Sequence, residues 1–176
     1  DWKQTLKTFM GKPYWPIGLG EVDATMELEH LPVAAGAFTL YGVQVSWFRL
    51  PHPQQCLAFR LKTSSADIVV ATDVEYDRGH VAPAFIEFCS GADFLIFDAQ
   101  YLPTEYEAHR GWGHSTWEVA ATAATRINVG QLILTHHAPE RTDDEIEAIV
   151  DSAREVFPRT QAAAEGLALV SRRNTR

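Results

Sequence analysis

The sequence predicts an α/β fold, layered in the α+β manner, with a mixed sheet flanked by helices. In the first half, short apolar runs separated by turn residues predict antiparallel strands. From residue 83 onwards helical and strand patterns alternate, which is typical of parallel strands joined by helices. Because 46% of the 176 residues are hydrophobic, we expect a single domain over residues 1–176 with its own core.

The N-terminal half begins with a short predicted helix, Trp2–Met10, and is dominated by strands from Met26 to Thr72. Four segments fit strands by their length and their alternation of apolar and polar residues, and they are Phe38–Leu40, Val43–Leu50, Cys56–Leu61 and Asp67–Thr72. The first two flank Tyr41-Gly42 and therefore predict a hairpin. Prolines on both sides of His52 end the second strand.

The C-terminal half alternates helix and strand. The predicted elements are helix Pro83–Cys89, strand Phe94–Phe97, helix Trp117–Arg126, strand Gln131–Thr135, a long amphipathic helix after Thr142 and a short strand Leu167–Val170. Ser/Thr-x-x-Glu capping boxes predict helix starts at Thr104, Ser115 and Thr142.

Composition narrows the class of protein. The net charge of −8 and a pI near 5.3 argue against a broad nucleic-acid surface, which is normally basic. Cys56 and Cys89 lie in apolar stretches and predict buried free thiols in a reducing compartment, so we expect a cytoplasmic protein. No apolar run reaches the roughly 18 residues needed to cross a membrane.

Polar side chains follow several predicted strands directly. Asp73, Asp98 and His136 come after apolar strands, and His52 follows a strand between two prolines. Strand ends on one edge of a layered sheet converge, and sites are built there. Imidazole and carboxylate together suit zinc, and iron or manganese also fit. The ordinary alternative for each residue is a turn cap or a satisfied structural histidine.

His114 stands just before the helix predicted to start at Ser115. A helix N-terminus favours neutral imidazole and attracts anions. Asp98 at a strand end and His114 at a helix start therefore form a candidate acid–base pair.

Short motifs in this order resemble the metallo-β-lactamase superfamily, in the branch that includes ribonuclease Z and related phosphodiesterases. The similar segments are Pro51-His52-Pro53 with Cys56–Arg60, Ala71-Thr72-Asp73, Asp98–Tyr101, Gly113–Trp117 and Leu134–His137. The resemblance covers the chain from about residue 10 to the C-terminus. It implies that the chain is part of an αββα sandwich.

The resemblance also implies roles. His52 is similar to the histidine that completes the first metal's ligands, Asp73 to the aspartate that bridges both metals, and His136 to the histidine that completes the second metal's ligands. His114 resembles the proton donor to the leaving group, and Asp98 stands where that branch carries a glutamate that orients this histidine. His137 is a less favoured substitute for His136. Two zinc ions per complete site are implied, with manganese or iron as alternatives.

One family motif is missing. No two histidines here have the spacing of the histidine-x-histidine-x-aspartate-histidine motif that supplies four metal ligands. We therefore expect this chain to be the C-terminal portion of the family fold, in which His52, Asp73 and His136 do not complete a dinuclear site by themselves. Gln54-Gln55 also replaces residues that are often glycines in relatives.

The function that follows is a metal-dependent hydrolase, a phosphodiesterase using a dinuclear metal-activated hydroxide with His114 as proton donor. Because the chain is acidic, a small-molecule phosphodiester is expected ahead of a nucleic acid. The alternative is a non-catalytic binding or interaction module that keeps the fold without the chemistry, with a homodimer as one arrangement. No membrane partner is expected.

Overall fold

The computed structural model describes residues 2–23, 25–26, 31, 35–77 and 80–171. The backbone forms two compact units, residues 1–32 and 33–176, and the prediction of one domain stays a prediction. The first unit contains helix α1 (Trp2–Phe9) and a 3-10 turn at Leu19–Glu21. Residues 27–30 and 32–34 of the predicted strand region lie outside the described residues.

The second unit is a seven-stranded mixed sheet with helices, which confirms the predicted fold class. Its strands are β1 (Ala35–Leu40), β2 (Val43–Arg49), β3 (Leu57–Lys62), β4 (Asp67–Ala71), β5 (Phe94–Asp98), β6 (Gln131–Thr135) and β7 (Thr160–Ala162). Its helices are α2 (Pro83–Cys89), α3 (Tyr106–His109), α4 (Trp117–Ile127) and α5 (Asp143–Val156). Within the described part of the chain, no helix has the length and apolarity needed to cross a membrane.

The sheet keeps the order of the chain. Strands β1 to β4 pair antiparallel, and β4 to β7 pair parallel. Since β2 and β4 are both antiparallel to β3, strands β2, β4, β5 and β6 all point the same way. Their C-terminal ends therefore share one edge of the sheet, and β3 begins at that edge.

The predicted hairpin is confirmed in β1 and β2, which are joined by Tyr41-Gly42 with Leu40 paired to Val43. Both turn residues have positive φ, 48° at Tyr41 and 82° at Gly42. A two-residue turn of this kind matches the twist of the strands it joins.

The core lies where the parallel strands meet α2, α4 and α5. Leu95, Leu132 and Leu134 are fully buried, and the alanine-rich face of α4 lets that helix pack closely. This packing holds the sheet edge that carries the candidate site residues.

The capping box predicted at Ser115 is wrong by one residue. Thr116 is the N-cap of α4, and its side chain accepts a hydrogen bond from the Val119 amide. The Ser115 hydroxyl is used elsewhere, because it donates to the Val74 carbonyl at 2.6 Å and accepts from the Tyr76 amide at 3.1 Å. A tertiary contact has therefore taken the group that the local pattern assigned to the helix.

The two other predicted boxes have opposite outcomes. The box of Thr142 and Glu145 is confirmed in full at the start of α5. At Thr104 the prediction is wrong: α3 starts at Tyr106, and among the described residues no side chain caps it. Glu105 instead accepts a hydrogen bond from the Leu102 amide at 2.8 Å, which stabilises a tight turn before the helix.

The last predicted strand is also misplaced. Residues 167–170 are described and are not a strand, whereas Thr160–Ala162 forms β7 and pairs with β6. Which segment pairs with β6 depends on where the chain lies after α5 ends. The apolar content of a segment does not predict that position.

Candidate metal and acid–base site

Asp98 organises the candidate site at the end of β5. Its carboxylate is fully buried and accepts hydrogen bonds from His114 Nδ1 at 2.8 Å and the Asp73 amide at 3.1 Å through Oδ2. Oδ1 accepts from the amides of Gln100 and Ser115. A buried carboxylate is stable only with such partners, so Asp98 fixes His114 and Asp73 together.

His114 is held through Nδ1, which leaves Nε2 as the ring nitrogen not bonded to Asp98. The Asp98 hydrogen bond raises the pKa of His114, burial opposes that rise, and the charges of Asp98, Asp73 and Glu75 add to it. This direction is opposite to the one expected from a helix N-terminus, because a hydrogen bond to a carboxylate favours the charged imidazole. A raised pKa suits a group that donates a proton at neutral pH.

Asp73 and His136 face each other across the strand ends of β4 and β6. His136 Nε2 lies 3.8 Å from Asp73 Oδ1, and the rings of His136 and His114 stack with centroids 4.8 Å apart. Asp73 and His136 both adopt left-handed backbone angles, with φ of 55° and 59°. Such conformations are sparsely populated in residues with side chains and are concentrated at functional sites.

His52 reaches the same edge from the loop after β2. Its Nδ1 accepts a hydrogen bond from the Gln54 amide at 3.1 Å, and its ring lies edge-on to His114 with centroids 5.9 Å apart. In the neutral ring this bond places the proton on Nε2. Metal binding through Nε2 would therefore require the ring to carry its proton on Nδ1 and to give up the Gln54 bond. Gly113 is required beside it, because a Cβ there would overlap the His52 ring.

The donor atoms fit a divalent metal. The ligand atoms of Asp73, His114 and His136 all lie within 4.8 Å of one another, as do those of His52, Cys56 and Asp73. A tetrahedral metal with bonds of about 2.1 Å separates its ligands by about 3.4 Å, so small side-chain movements would close either set. Asp73 belongs to both sets and lies between them.

His137 does not join either cluster. Both of its ring nitrogens are buried, and burial lowers the pKa of His137. Of the two adjacent histidines, His136 is the one that the structure brings to Asp73.

Glu75 is a site residue that sequence reasoning missed. Its carboxylate accepts hydrogen bonds from the amides of Gly111 and Gly113, at 2.7 and 2.8 Å, and from the Tyr106 hydroxyl at 3.0 Å. It thereby positions the loop that presents His114. The available signal was its place two residues after the candidate ligand Asp73.

An aromatic surface extends from His114 outwards. Tyr101 lies edge-on to His114, stacks on His109 with centroids 4.4 Å apart, and His109 meets Trp112 edge-on at 4.9 Å. The Trp112 side chain is 63% exposed. The surface therefore ends in an accessible indole next to the candidate site.

The model of the beta-lactamase superfamily domain matches residues 17–137 of this chain. The chain belongs to the metallo-β-lactamase superfamily. Within this superfamily it falls in the ribonuclease Z-like branch, because its curated relatives carry that name. The resemblance seen in the sequence motifs is thereby confirmed.

Two ribonuclease Z sequences illustrate the relationship. That of Bradyrhizobium diazoefficiens is 34% identical over 103 residues, covering 58% of this chain and 32% of the relative. That of Ignicoccus hospitalis is 38% identical over 89 residues, covering 49% of this chain and 29% of the relative. The matched part of the chain thus spans about a third of the length of these relatives.

Solved structures agree on the fold. The metallo-beta-lactamase fold protein YhfI from Bacillus subtilis has a TM-score of 0.61 at 23% identity, covering 75% of this chain and 51% of that protein. Human tRNase Z, short form, has a TM-score of 0.56 at 21% identity, covering 76% of this chain and 45% of that protein. At these identities the likeness shows the fold alone.

The relatives correct one expectation. Ranking a small-molecule phosphodiester ahead of a nucleic acid was wrong, because the curated relatives are ribonucleases. The ranking rested on net charge, which sums over the whole chain and does not report the field inside one site. A bound metal ion makes a site locally positive whatever the total charge.

Proposed function

We propose that this chain provides metal ligands and the proton donor of a metal-dependent phosphodiesterase that hydrolyses RNA. The observation that carries the proposal is the buried Asp98–His114 pair beside Asp73 and His136 at one sheet edge. The ribonuclease Z relatives support RNA as the substrate class.

His52 and Asp73 would hold one metal, and Asp73 and His136 would hold a second. Zinc is the best match to such imidazole and carboxylate donors. When bound, zinc supplies Lewis-acid polarisation of a phosphoryl oxygen and activates water for attack. The chain's own contribution is to fix the ligands: the Asp98 carboxylate holds the Asp73 backbone.

His114 would donate the proton that the leaving oxygen of the RNA needs. Its Nδ1 stays bonded to Asp98, so the proton on Nε2 is the one transferred. Asp98 would stabilise the imidazolium of His114 before the proton is transferred, and it would keep the ring oriented after the transfer. Glu75 would act indirectly, because it positions the Gly111–Gly113 backbone that precedes His114.

Trp112 would contact an RNA base. An exposed aromatic face next to a phosphodiester site offers a stacking surface, and every base has a π-face that fits it. The path from His114 through Tyr101 and His109 to Trp112 is continuous. A base adjacent to the cleaved phosphate would therefore be within reach.

The two free thiols, Cys56 and Cys89, support a reducing compartment such as the cytoplasm.

The test is cleavage of an end-labelled RNA by the purified full-length protein, first stripped with a chelator and then reloaded with zinc, manganese or iron. We expect cleavage only after reloading, and weaker cleavage of DNA of the same sequence. Metal binding without hydrolysis of any phosphodiester would contradict the proposal and favour the interaction module.

A further inference from the structure

Cys56 lies with two candidate metal ligands, and no role has been assigned to it. Its sulfur and the ligand atoms of His52 and Asp73 all lie within 4.8 Å of one another. We propose that Cys56 Sγ is an additional metal ligand, completing a nitrogen, sulfur and oxygen donor set that selects zinc. The inference rests on the proposed metal site and adds a ligand that the superfamily resemblance did not supply.

The strand directions bring Cys56 to this position. β3 lies between β2 and β4 and runs against both, so it begins at the edge where they end. Cys56 directly precedes β3, His52 follows β2 and Asp73 follows β4. The cysteine therefore enters the edge between the two other donors.

The loop after β2 folds back tightly to deliver the thiol. The Leu50 amide donates to the Cys56 carbonyl at 2.9 Å, and the Gln55 amide donates to the His52 carbonyl at 3.2 Å. Gln55 takes a left-handed φ of 65°, which reverses the chain just before Cys56. The loop that orients His52 thus also places Cys56 beside it.

The chemistry of the set distinguishes metals. A thiolate is a soft ligand that favours zinc and disfavours manganese and magnesium. Binding forms a metal–sulfur bond and breaks the S–H bond, and the proton passes to solvent. Cys56 is partly exposed, so a metal can reach it. Cys89, the last residue of α2, is fully buried and serves as a matched control.

The test is a cobalt(II) titration of the metal-free protein, because thiolate coordination to cobalt produces an intense near-ultraviolet charge-transfer band. We expect the band in the unmodified protein and in Cys89→Ser, and its loss in Cys56→Ser with visible cobalt bands retained. We also expect zinc affinity in Cys56→Ser to fall at least about tenfold, with manganese affinity changed much less.

The outcomes separate the two proposals. In the unmodified protein, visible cobalt bands without the near-ultraviolet band would overturn the role of Cys56 and leave the rest of the metal site standing. No cobalt binding at all would overturn both.

A second measurement does not depend on a Cys56 variant that folds. In Cys89→Ser, a thiol-reactive disulfide reagent should modify Cys56 much more slowly with zinc than with manganese. Equal rates with and without zinc would contradict the proposed ligand.

Discussion

The two halves of the sheet differ in what they bury and in how they build the site. In the hairpin half, strands β1 to β3, the edge strand β1 is largely exposed, with Phe38 at 41% and Leu40 at 50%. In the parallel half, β4 to β7 with α2, α4 and α5, Leu95 and Leu132 are fully buried. Antiparallel strands need only a turn between them, whereas parallel strands need crossovers whose helices cover the sheet.

The same difference governs the site. In the parallel half, Asp98 ends β5, His136 directly follows β6, and Asp73 lies two residues after β4. Their positions follow from strands that belong to a packed core. In the hairpin half, His52 and Cys56 come from a loop shaped by backbone hydrogen bonds and one left-handed residue. A strand of the packed half therefore carries Asp98, which holds the loop residue His114, whereas His52 and Cys56 both come from a loop.

The largest expected effect lies at the pair in the parallel half. In the full-length protein, His114→Ala should lower RNA turnover by about 10²–10⁴-fold, the usual scale for a lost acid–base group, with metal content retained. Single-turnover cleavage and metal analysis of the same sample would measure both. His80→Ala, an exposed histidine, is the control and should leave turnover unchanged. Metal loss in His114→Ala would instead make His114 a ligand.

The burial contrast predicts a large difference between two leucines. Leu132→Ala in β6 should lower the free energy of unfolding by about 2–5 kcal/mol, because it opens a cavity in the core. Leu40→Ala in β1 should cost less than about 1 kcal/mol, since half of its side chain is already exposed. Urea unfolding of both variants checks this, and equal losses would show that the hairpin half is covered in solution.

An intermediate effect is expected at Trp112, on the proposed RNA-binding surface. Trp112→Ala should weaken RNA binding by about 1–3 kcal/mol, the value of one base stacked on an aromatic ring, and Trp112→Phe should restore most of it. Fluorescence anisotropy with a labelled RNA, and with the same RNA carrying abasic sites, measures the effect. A loss that is identical for intact and abasic RNA would rule out base stacking.

The smallest effect concerns the helix starts. Thr142→Ala should cost about 1 kcal/mol, because it removes the capping box of α5. Thr104→Ala carries the same chemical change at a position where no cap forms and should cost close to nothing. Thermal unfolding of the two variants compares them directly, and a larger loss at Thr104 would refute the assigned start of α3.

Much of this architecture was readable in the sequence because it depends on local patterns. Alternation located β2, apolar runs located β5 and β6, and the polar residues that end those runs marked Asp98 and His136. The hairpin turn at Tyr41-Gly42 and the cap at Thr142 were predictable for the same reason, since each is decided by neighbours in the chain.

Only the tertiary structure decided which of these groups meet. Ser115 left its predicted cap because its hydroxyl bonds to the distant Val74 and Tyr76 backbone. Glu75 became a positioning residue because it bonds to amides more than 30 residues away. Cys56 lies beside His52 and Asp73 because β3 runs against both of its neighbours. Local pattern determines where a polar group leaves a strand, but strand direction and pairing are set by burial of the whole sheet, and they determine what that group faces.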